Sequence, residues 1–408
     1  MKRFIHSALS QPLLIVLATL LFALAGVIAF KNLSVEAFPD VTDTQVTVIA
    51  LYPGRAAEEV EKQVTLPLEA NLAGLPNAIR LFSHTQFGLS FSVITFNDKA
   101  DVNLARQQVY ERLANVDLPE GAQVNVAPNA TPVGEIMRYR VRGDGQTTTD
   151  LRTLEDWTIE RALRQVPGVA DVVAMGGFIK QYEVQPDLDK LRAYKLTFQN
   201  LLDALGRGNS NAGGSYVAQG AQQFAIRGIG LLRSPEEIGQ IVLASRNGTP
   251  ILIRDVAQIK LGAVPRLGTT GQDADDDAVI GIVIMRKGEN PSVVLKAVKD
   301  KIAALNERGL PPGVQIVPFY DRTWLMDKTL TTVFKNMVEG ALLVSLVLYI
   351  FLSNLRATLA VVLVIPLSLL ATFMGLKVMG VPANLLSLGA MDFGIIVDGA
   401  VIVIENIM

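Results

Sequence analysis

The apolar residues of this chain fall into blocks. Pro12 to Phe30 is a run of 19 residues without a charge. As a helix rising 1.5 Å per residue it reaches about 28 Å, close to the ~30 Å hydrocarbon core of a bilayer. The other blocks lie at the far end. Gly340–Leu355 has no charge, Arg356 interrupts, and Ala357–Leu376 is again charge-free. After Lys377 and a Gly380-Val381-Pro382 turn, Asn384–Ile404 forms a fourth block whose charges are acids. The pattern predicts membrane helices near 12–30, 337–355, 357–376 and 384–405. The competing reading of the first block is a signal peptide, with small residues around Ala23-Leu24-Ala25-Gly26. Its length and the membrane segments that follow favour an uncleaved helix. Lys2 and Arg3 precede the first helix, and Arg356 sits in the tiny loop between the second and third. The excess of positive charge on cytoplasmic loops places both on the inner side. Residues 31–335 then lie outside and hold 68 of the 76 charged residues.

The outer region has strand and helix periods in a repeating order. Thr44–Leu51 alternates polar and β-branched residues and predicts a strand. Gly54–Leu72 predicts a helix, with Glu58, Glu59 and Glu61 early in it. Ile79–Gln86 and Leu89–Phe96 predict strands joined at Gly88. Asp101 caps a helix running to about Val116, and Gln123–Val126 is a last strand. The order is βαββαβ, the ferredoxin-like arrangement. A second copy is split. Glu135–Val141, Leu151–Gln165 and Val169–Met175 make its first half, strand, helix, strand. Val279–Met285, Ser292–Asn306 and Val314–Val317 make the other. Leu118-Pro119-Glu120-Gly121-Ala122-Gln123-Val124 echoes Leu310-Pro311-Pro312-Gly313-Val314-Gln315-Ile316, so turn, register and element order agree between the copies. The fold class is an α+β membrane protein. An insertion over about 178–268 separates the halves. Its glycines, among them Gly206, Gly208, Gly213, Gly214 and Gly220, do not form a nucleotide loop: no Lys-Ser/Thr follows. They fit a flexible β-hairpin arm.

Composition narrows the chemistry. The chain has 408 residues, 50% of them hydrophobic, no cysteine and a net charge of −2. Its mean hydropathy is +0.34. A near-neutral balance without clustered basic surface excludes a case for nucleic acid. Zero cysteines exclude a disulfide scaffold, a zinc ribbon and a thiol nucleophile. Two histidines, His6 and His84, are too few for a His-rich metal cage. His84 stands alone on a predicted strand and reads as structural.

The candidate chemistry sits in the fourth block. Asp392, Asp398 and Glu405 lie in or at the edge of one apolar helix. A central acid costs on the order of 2.5–3.5 kcal/mol by insertion scales, whereas an apolar residue returns only about 0.3–0.6. Such acids must face a bundle interior or water. Asp398 lies about 20 Å along the helix from Asn384, too deep to reach the surface. Burial raises a carboxylate's pKa, so an acid so placed can take up and release a proton at working pH. Asp398 and Glu405, seven apart, share a face. Asp392 lies about 120° around from Asp398. A structural salt bridge is the plainer reading of Asp398, and a solvated helix end that of Glu405. Gly389, Gly394 and Gly399 permit close helix approach.

Single helix, split double repeat, then helices ending in Asp392-Phe393-Gly394, Asp398-Gly399-Ala400 and Glu405-Asn406 resemble the resistance-nodulation-division transporters. Within them the chain is similar to the heavy-metal efflux branch of the CzcA type, which Glu36-Ala37-Phe38-Pro39-Asp40-Val41-Thr42 also matches. The resemblance covers the whole chain and implies the N-terminal portion of a longer transporter. It implies helix 1 over 1–36, porter subdomains over 37–132 and over 133–177 with 269–328, a docking insertion over 178–268, and further membrane helices over 329–408. It implies a homotrimer in the bacterial inner membrane, driven by protons and joined to a periplasmic adaptor and an outer-membrane channel. No cofactor is implied; metal ions are cargo. Multidrug members carry two adjacent acids where this chain has Asp398-Gly399. Copper and silver members lack the acid matching Asp392. Asp392, Asp398 and Glu405 together match the Zn/Co/Cd/Ni group, and carboxylates suit such ions better than Cu(I). The resemblance gives those three the proton relay and points to acids of the porter cleft as ion ligands, here Glu135 and Asp171. Solvated strand-end acids are the plainer reading of that pair, and a solvated loop that of the Asp273, Asp275, Asp276, Asp277 run. An intramembrane aspartyl protease is disfavoured, because Asp392 and Asp398 lie about 9 Å apart along the axis on different faces. A purely structural or sensory membrane protein is the remaining class.

Overall fold

Four valine and leucine positions explain the first sheet's packing. Val60, Val64, Leu68 and Leu72 recur every fourth residue, and all are buried. They form one stripe on the helix over 57–72 (α2), made of Ala57–Val60, a π turn at Glu61–Thr65, and Leu66–Leu72. Beneath them lie Val46, Val48 and Ala50, alternate residues of β1 (Gln45–Leu51), with Ile94 and Phe96 of β3 (Leu89–Phe96). In this computed structural model β1 pairs antiparallel with β3, from Gln45 opposite Thr95 to Leu51 opposite Leu89. With β2 (Ala78–Gln86) and β4 (Gln123–Val126) the order is β2-β3-β1-β4. Helix α3 (Val102–Leu113) joins β3 to β4, and Asp101 caps it by accepting from the amides of Asn103 and Leu104. Two inward polar residues are matched to partners. Ser90 accepts from the Thr65 hydroxyl at 2.7 Å, and Ser92 meets Ser83 at 2.9 Å. Each fully buried Val or Leu contributes about 1.5–3 kcal/mol.

The structure describes residues 10–36, 39–384 apart from 221, 229, 247 and 267, and residues 399 and 401–403. The chain divides into two compact units: Met1–Arg140, Ile159–Val173 and Gly281–Met408 form one, Val141–Thr158 and Ala174–Ile280 the other. A second four-stranded sheet is ordered β14-β5-β13-β6. Its strands are β5 (Glu135–Gly143), β6 (Val169–Met175), β13 (Val279–Met285) and β14 (Val314–Asp321). The helix over 148–164 (α4) connects β5 to β6 and again contains a π turn, Glu155–Ile159, and the helix Pro291–Arg308 (α9) connects β13 to β14. Counted within each copy, both sheets run 2-3-1-4, as the repeated element order requires. Tyr139, fully buried, fills the space over Gly281, where a Cβ would stand 2.1 Å from its ring Cζ.

The second unit holds the insertion. It is not a bare arm. Strand β7 (Lys180–Pro186) is followed by α5 (Leu188–Ala193), α6 (Phe198–Gly208), β8 (Ala212–Gln219) and β9 (Gln222–Gly228). Then come α7 (Pro235–Gly239), β10 (Val242–Arg246), β11 (Thr249–Leu252), α8 (Ile253–Val256) and β12 (Ala257–Ala263). Its own core includes Leu191, Leu201, Leu243, Ile253 and Val256. The hairpin β8–β9 is the arm, with Tyr216 and Phe224 exposed. Where the chain enters and leaves the insertion, Arg266 stacks 3.7 Å over the Phe178 ring and pairs with Asp277 at 2.7 Å. Arg152 donates to the Gly176 carbonyl at 2.8 Å. Gly176 has φ +75°, and a Cβ there would lie 1.9 Å from the Ala278 carbonyl oxygen.

Three described helices are long and apolar enough to cross a membrane: Pro12–Lys31 (α1), Arg322–Phe351 within α10 (Arg322–Leu352), and Leu355–Met379. The last is α11 (Leu355–Val362) and α12 (Val364–Met379). Helix α10 begins well before the charge-free run near 337. Asn354 caps α11 by accepting from the amides of Arg356 and Ala357. Helices α1 and α12 approach closely at Gly26, where a Cβ would stand 2.5 Å from that of Leu370. Phe30 packs edge-on to Phe334 and against Phe373 just above.

Candidate functional site

The three long apolar helices each have an end at one charged junction. After α1 the chain turns at Asn32 and runs extended, and Val35 pairs parallel with Ala383. The Glu36 amide donates to the Ala383 carbonyl at 2.8 Å, and the Ala383 amide to that of Ser34 at 2.9 Å. Two short bonds thus tie the exit of the first helix to the chain leading into the fourth segment. Asp40 anchors the next step: it accepts from the Thr42 amide at 3.1 Å and the Thr131 hydroxyl at 2.7 Å. Lys287, in the loop after β13, donates to the Thr42 carbonyl at 2.6 Å. Arg322, the first residue of α10, is buried and donates to the Val133 carbonyl. Asp321 ends β14 and caps α10 through the Thr323 amide at 2.8 Å, with Lys299 as its ion partner.

The junction encloses a cavity of about 360 Å³, with Ser34, Glu36, Asp40, Lys287 and Arg322 in its wall. Burial pushes the Glu36 carboxyl above its usual value; the charge of Arg322 opposes this and that of Asp40 adds to it. Asp40 goes the other way. Burial works against its charge, but the bonds from Thr42 and Thr131 and the charge of Lys287 outweigh that and lower its pKa. Asp321 is likewise lowered against burial, by its bonds from Lys299 and Thr323.

Glu135 and Asp171 are not brought together. β13 lies between their strands, which sets them about 10 Å apart laterally. Each holds its own arginine. Glu135 accepts from Arg138 Nε and from its Nη2 at 3.1 Å. Asp171 pairs with Arg164, which also reaches Glu160 at 3.1 Å. Glu135 nevertheless lines an open cavity of about 800 Å³ with Arg138, Phe319, Tyr320 and Arg322. Among the described residues no three His, Cys, Asp or Glu side chains form a metal-holding group. In the acidic run Asp277 is committed to Arg266, a structural role. His84 is exposed on β2 opposite Phe91.

Asp392, Asp398 and Glu405 lie outside the described residues. Nearby Val401 packs against the pair Val361 and Ile365, together with Ala341 and Val344 of α10. Val401 therefore lies beside the second and third helices.

The model of the AcrB/AcrD/AcrF family matches residues 4–408. The chain belongs to this family. It is 41% identical over 416 residues to a cation efflux system protein CzcA of Alcaligenes sp. (strain CT14), covering 99% of this chain and 39% of that protein. It is 40% identical to the cobalt-zinc-cadmium resistance protein CzcA of Cupriavidus metallidurans, again over 99% of this chain and 39% of that protein. Among solved structures, an X-ray crystal structure of a heavy metal efflux pump superposes with a TM-score of 0.92 at 40% identity, over 99% of this chain and 41% of that one. The chain thus spans about two fifths of the relatives it matches.

Reasoning from sequence alone missed Arg322, Lys287 and Thr131. Glu36 and Asp40 stood in a family motif without a role. The available signal was the Glu-x-x-x-Asp spacing directly after an apolar helix.

Proposed function

We propose that this chain is the N-terminal portion of a proton-driven exporter of divalent metal cations, a secondary transporter and not an enzyme. The observation that carries the reading is Asp398, a carboxylate deep in an apolar segment of a chain 40% identical to a cobalt-zinc-cadmium resistance protein. An acid there is costly unless it works by gaining and losing charge. Asp392, Asp398 and Glu405 form the proton relay. Glu135 supplies a ligand to the metal from its open cavity once Arg138 is displaced; Asp171, paired with Arg164, is the second candidate. The two 2-3-1-4 sheets are ferredoxin-like porter subdomains, and the insertion is the docking element. Residues 31–335 face the periplasm, and the protein works in the inner membrane as a homotrimer with an adaptor and an outer-membrane channel.

The test is metal-driven proton flux in proteoliposomes holding the full-length transporter, wild type against Asp398→Asn. Loss of coupled flux with metal binding retained supports the relay. Full transport by the variant would sink it. Copper or silver export is the second reading; cobalt, zinc and cadmium in the name of a 40% identical relative weigh against it.

A further inference from the structure

The junction cavity and the cavity in front of Glu135 share two lining residues, Val133 and Arg322. Arg322 is only 4% exposed, and its guanidinium is bonded to the Val133 carbonyl, two residues before Glu135. On the junction side it faces Glu36, which is half-buried beside Asp40. The hydroxyl oxygen of Ser34 is buried with no hydrogen-bond partner, and Ser34 lines the same cavity. A buried hydroxyl of this kind is matched by water, and a cavity of about 360 Å³ has room for several.

We propose that Glu36 is a proton-binding carboxylate at the outer mouth of the helix bundle, and that Arg322 links its protonation to the cavity in front of Glu135. The inference rests on the antiport reading above and adds a fourth proton-binding acid to it, outside the fourth segment. Ionised Glu36 attracts the charge of Arg322, whose guanidinium is bonded to the Val133 carbonyl. Protonated, it gives up that claim, and Arg322 is left to hold the turn Pro132–Gly134 that leads into Glu135. The proton comes from water in the cavity and goes to a carboxylate oxygen; no other bond changes. The raised pKa of Glu36 puts this step nearer the working range than an ordinary glutamate would. The charged groups around it are Asp40 on its own segment, Arg322 at the start of α10, Arg286, Lys287 and Glu289 in the loop after β13, and Lys377 at the end of α12. The Glu36 amide bond to Ala383 makes the same residue a clasp on the chain entering the fourth segment. Through Arg322, proton binding here is linked to the cavity in front of Glu135, and by reciprocity metal at Glu135 shifts the affinity of Glu36 for protons.

The experiment measures metal–proton exchange by the full-length transporter in oriented proteoliposomes. The pH on the porter side is varied while the other side is fixed. Wild type should show a titration step in exchange, with the apparent affinity for metal changing by at least about fivefold across it. Glu36→Gln should flatten that step, and Glu36→Asp should keep it at a shifted midpoint. A wild-type step retained unchanged in E36Q overturns the proposal. If E36Q does not fold, E36D decides: an unshifted midpoint overturns it. If wild type moves no metal, the antiport reading fails on its own. Glu36 is then read by infrared difference titration of the carboxyl band, where identical curves for wild type and both variants overturn the proposal.

Discussion

Removing Arg138 tests whether Glu135 is held back from cations by its neighbour. The two side chains keep 47% and 29% of their exposure, so water screens the pair. Such a pair contributes about 0.2–1 kcal/mol rather than the several of a buried one. A cation that takes Glu135 must displace the guanidinium. Arg138→Ala should therefore tighten divalent binding by the worth of the pair, about 1.4- to 5-fold. The gain should shrink as ionic strength rises. The assay is calorimetric titration of Zn²⁺ into the detergent-solubilised transporter, for wild type, R138A, E135Q and the double variant. E135Q should bind more weakly, and R138A should add nothing in that background, because no carboxylate is left to release. Weaker binding in R138A would refute the reasoning, since it would make Arg138 a support and not a competitor. Equal affinity in E135Q and wild type would remove Glu135 from the site.

Other outcomes are equally specific. Gly281→Ala sets a Cβ 2.1 Å from the ring of buried Tyr139 and should cost about 1–3 kcal/mol or more. In a Tyr139→Ala background most of that cost should vanish, which thermal unfolding of the four proteins measures; an equal cost in both backgrounds refutes the clash. The lowered pKa values of Asp40 and Asp321 fix the sign of an acid effect. Their stabilisation is present above the unfolded value of 3.8 and is lost as pH falls through the lower folded values. Glu36 has the opposite sign: raised from 4.5, its contribution is present below that value and is lost as pH rises through the folded one. Melting temperature against pH should therefore fall less steeply at the acid end in Asp40→Asn/Asp321→Asn than in wild type. If the exposed faces of Tyr216 and Phe224 on the β8–β9 hairpin hold the proposed homotrimer together, Tyr216→Asp with Phe224→Asp should dissociate the full-length protein in native mass spectrometry; an unchanged oligomer would remove the hairpin from that contact.

How far the sequence carried this reading depends on whether a feature is periodic. Alternation at Val46, Val48 and Ala50 and the four-residue stripe from Val60 to Leu72 are local signals, and the strands they predict have their bounds within a residue or two. The π turns are invisible to such counting, because they shift the helix period without changing residue type. Helix α10 was foreseen only from 337. Asp327, Lys328 and Lys335 break the apolar run, so the charge count marks where lipid begins and not where the helix does. In the insertion, glycine content drew attention to the arm and hid α6, whose buried Leu201 and Ala204 form a face of their own. The junction was illegible for another reason. Glu36, Thr131, Lys287 and Arg322 come from four distant segments, and only tertiary pairing assembles them.

Asp321 is at once the last residue of β14 and the cap of α10, so no loop separates an edge strand from a membrane helix. A helix of 31 residues is a rod about 46 Å long. Tilting it by about 5° about its far end carries the end at Asp321 through about 4 Å, close to the spacing of neighbouring strands. With no slack at the joint, that displacement is delivered to the sheet instead of being absorbed. In the proposed transporter the strand-to-helix seam is a crank that passes a tilt of α10 to the sheet.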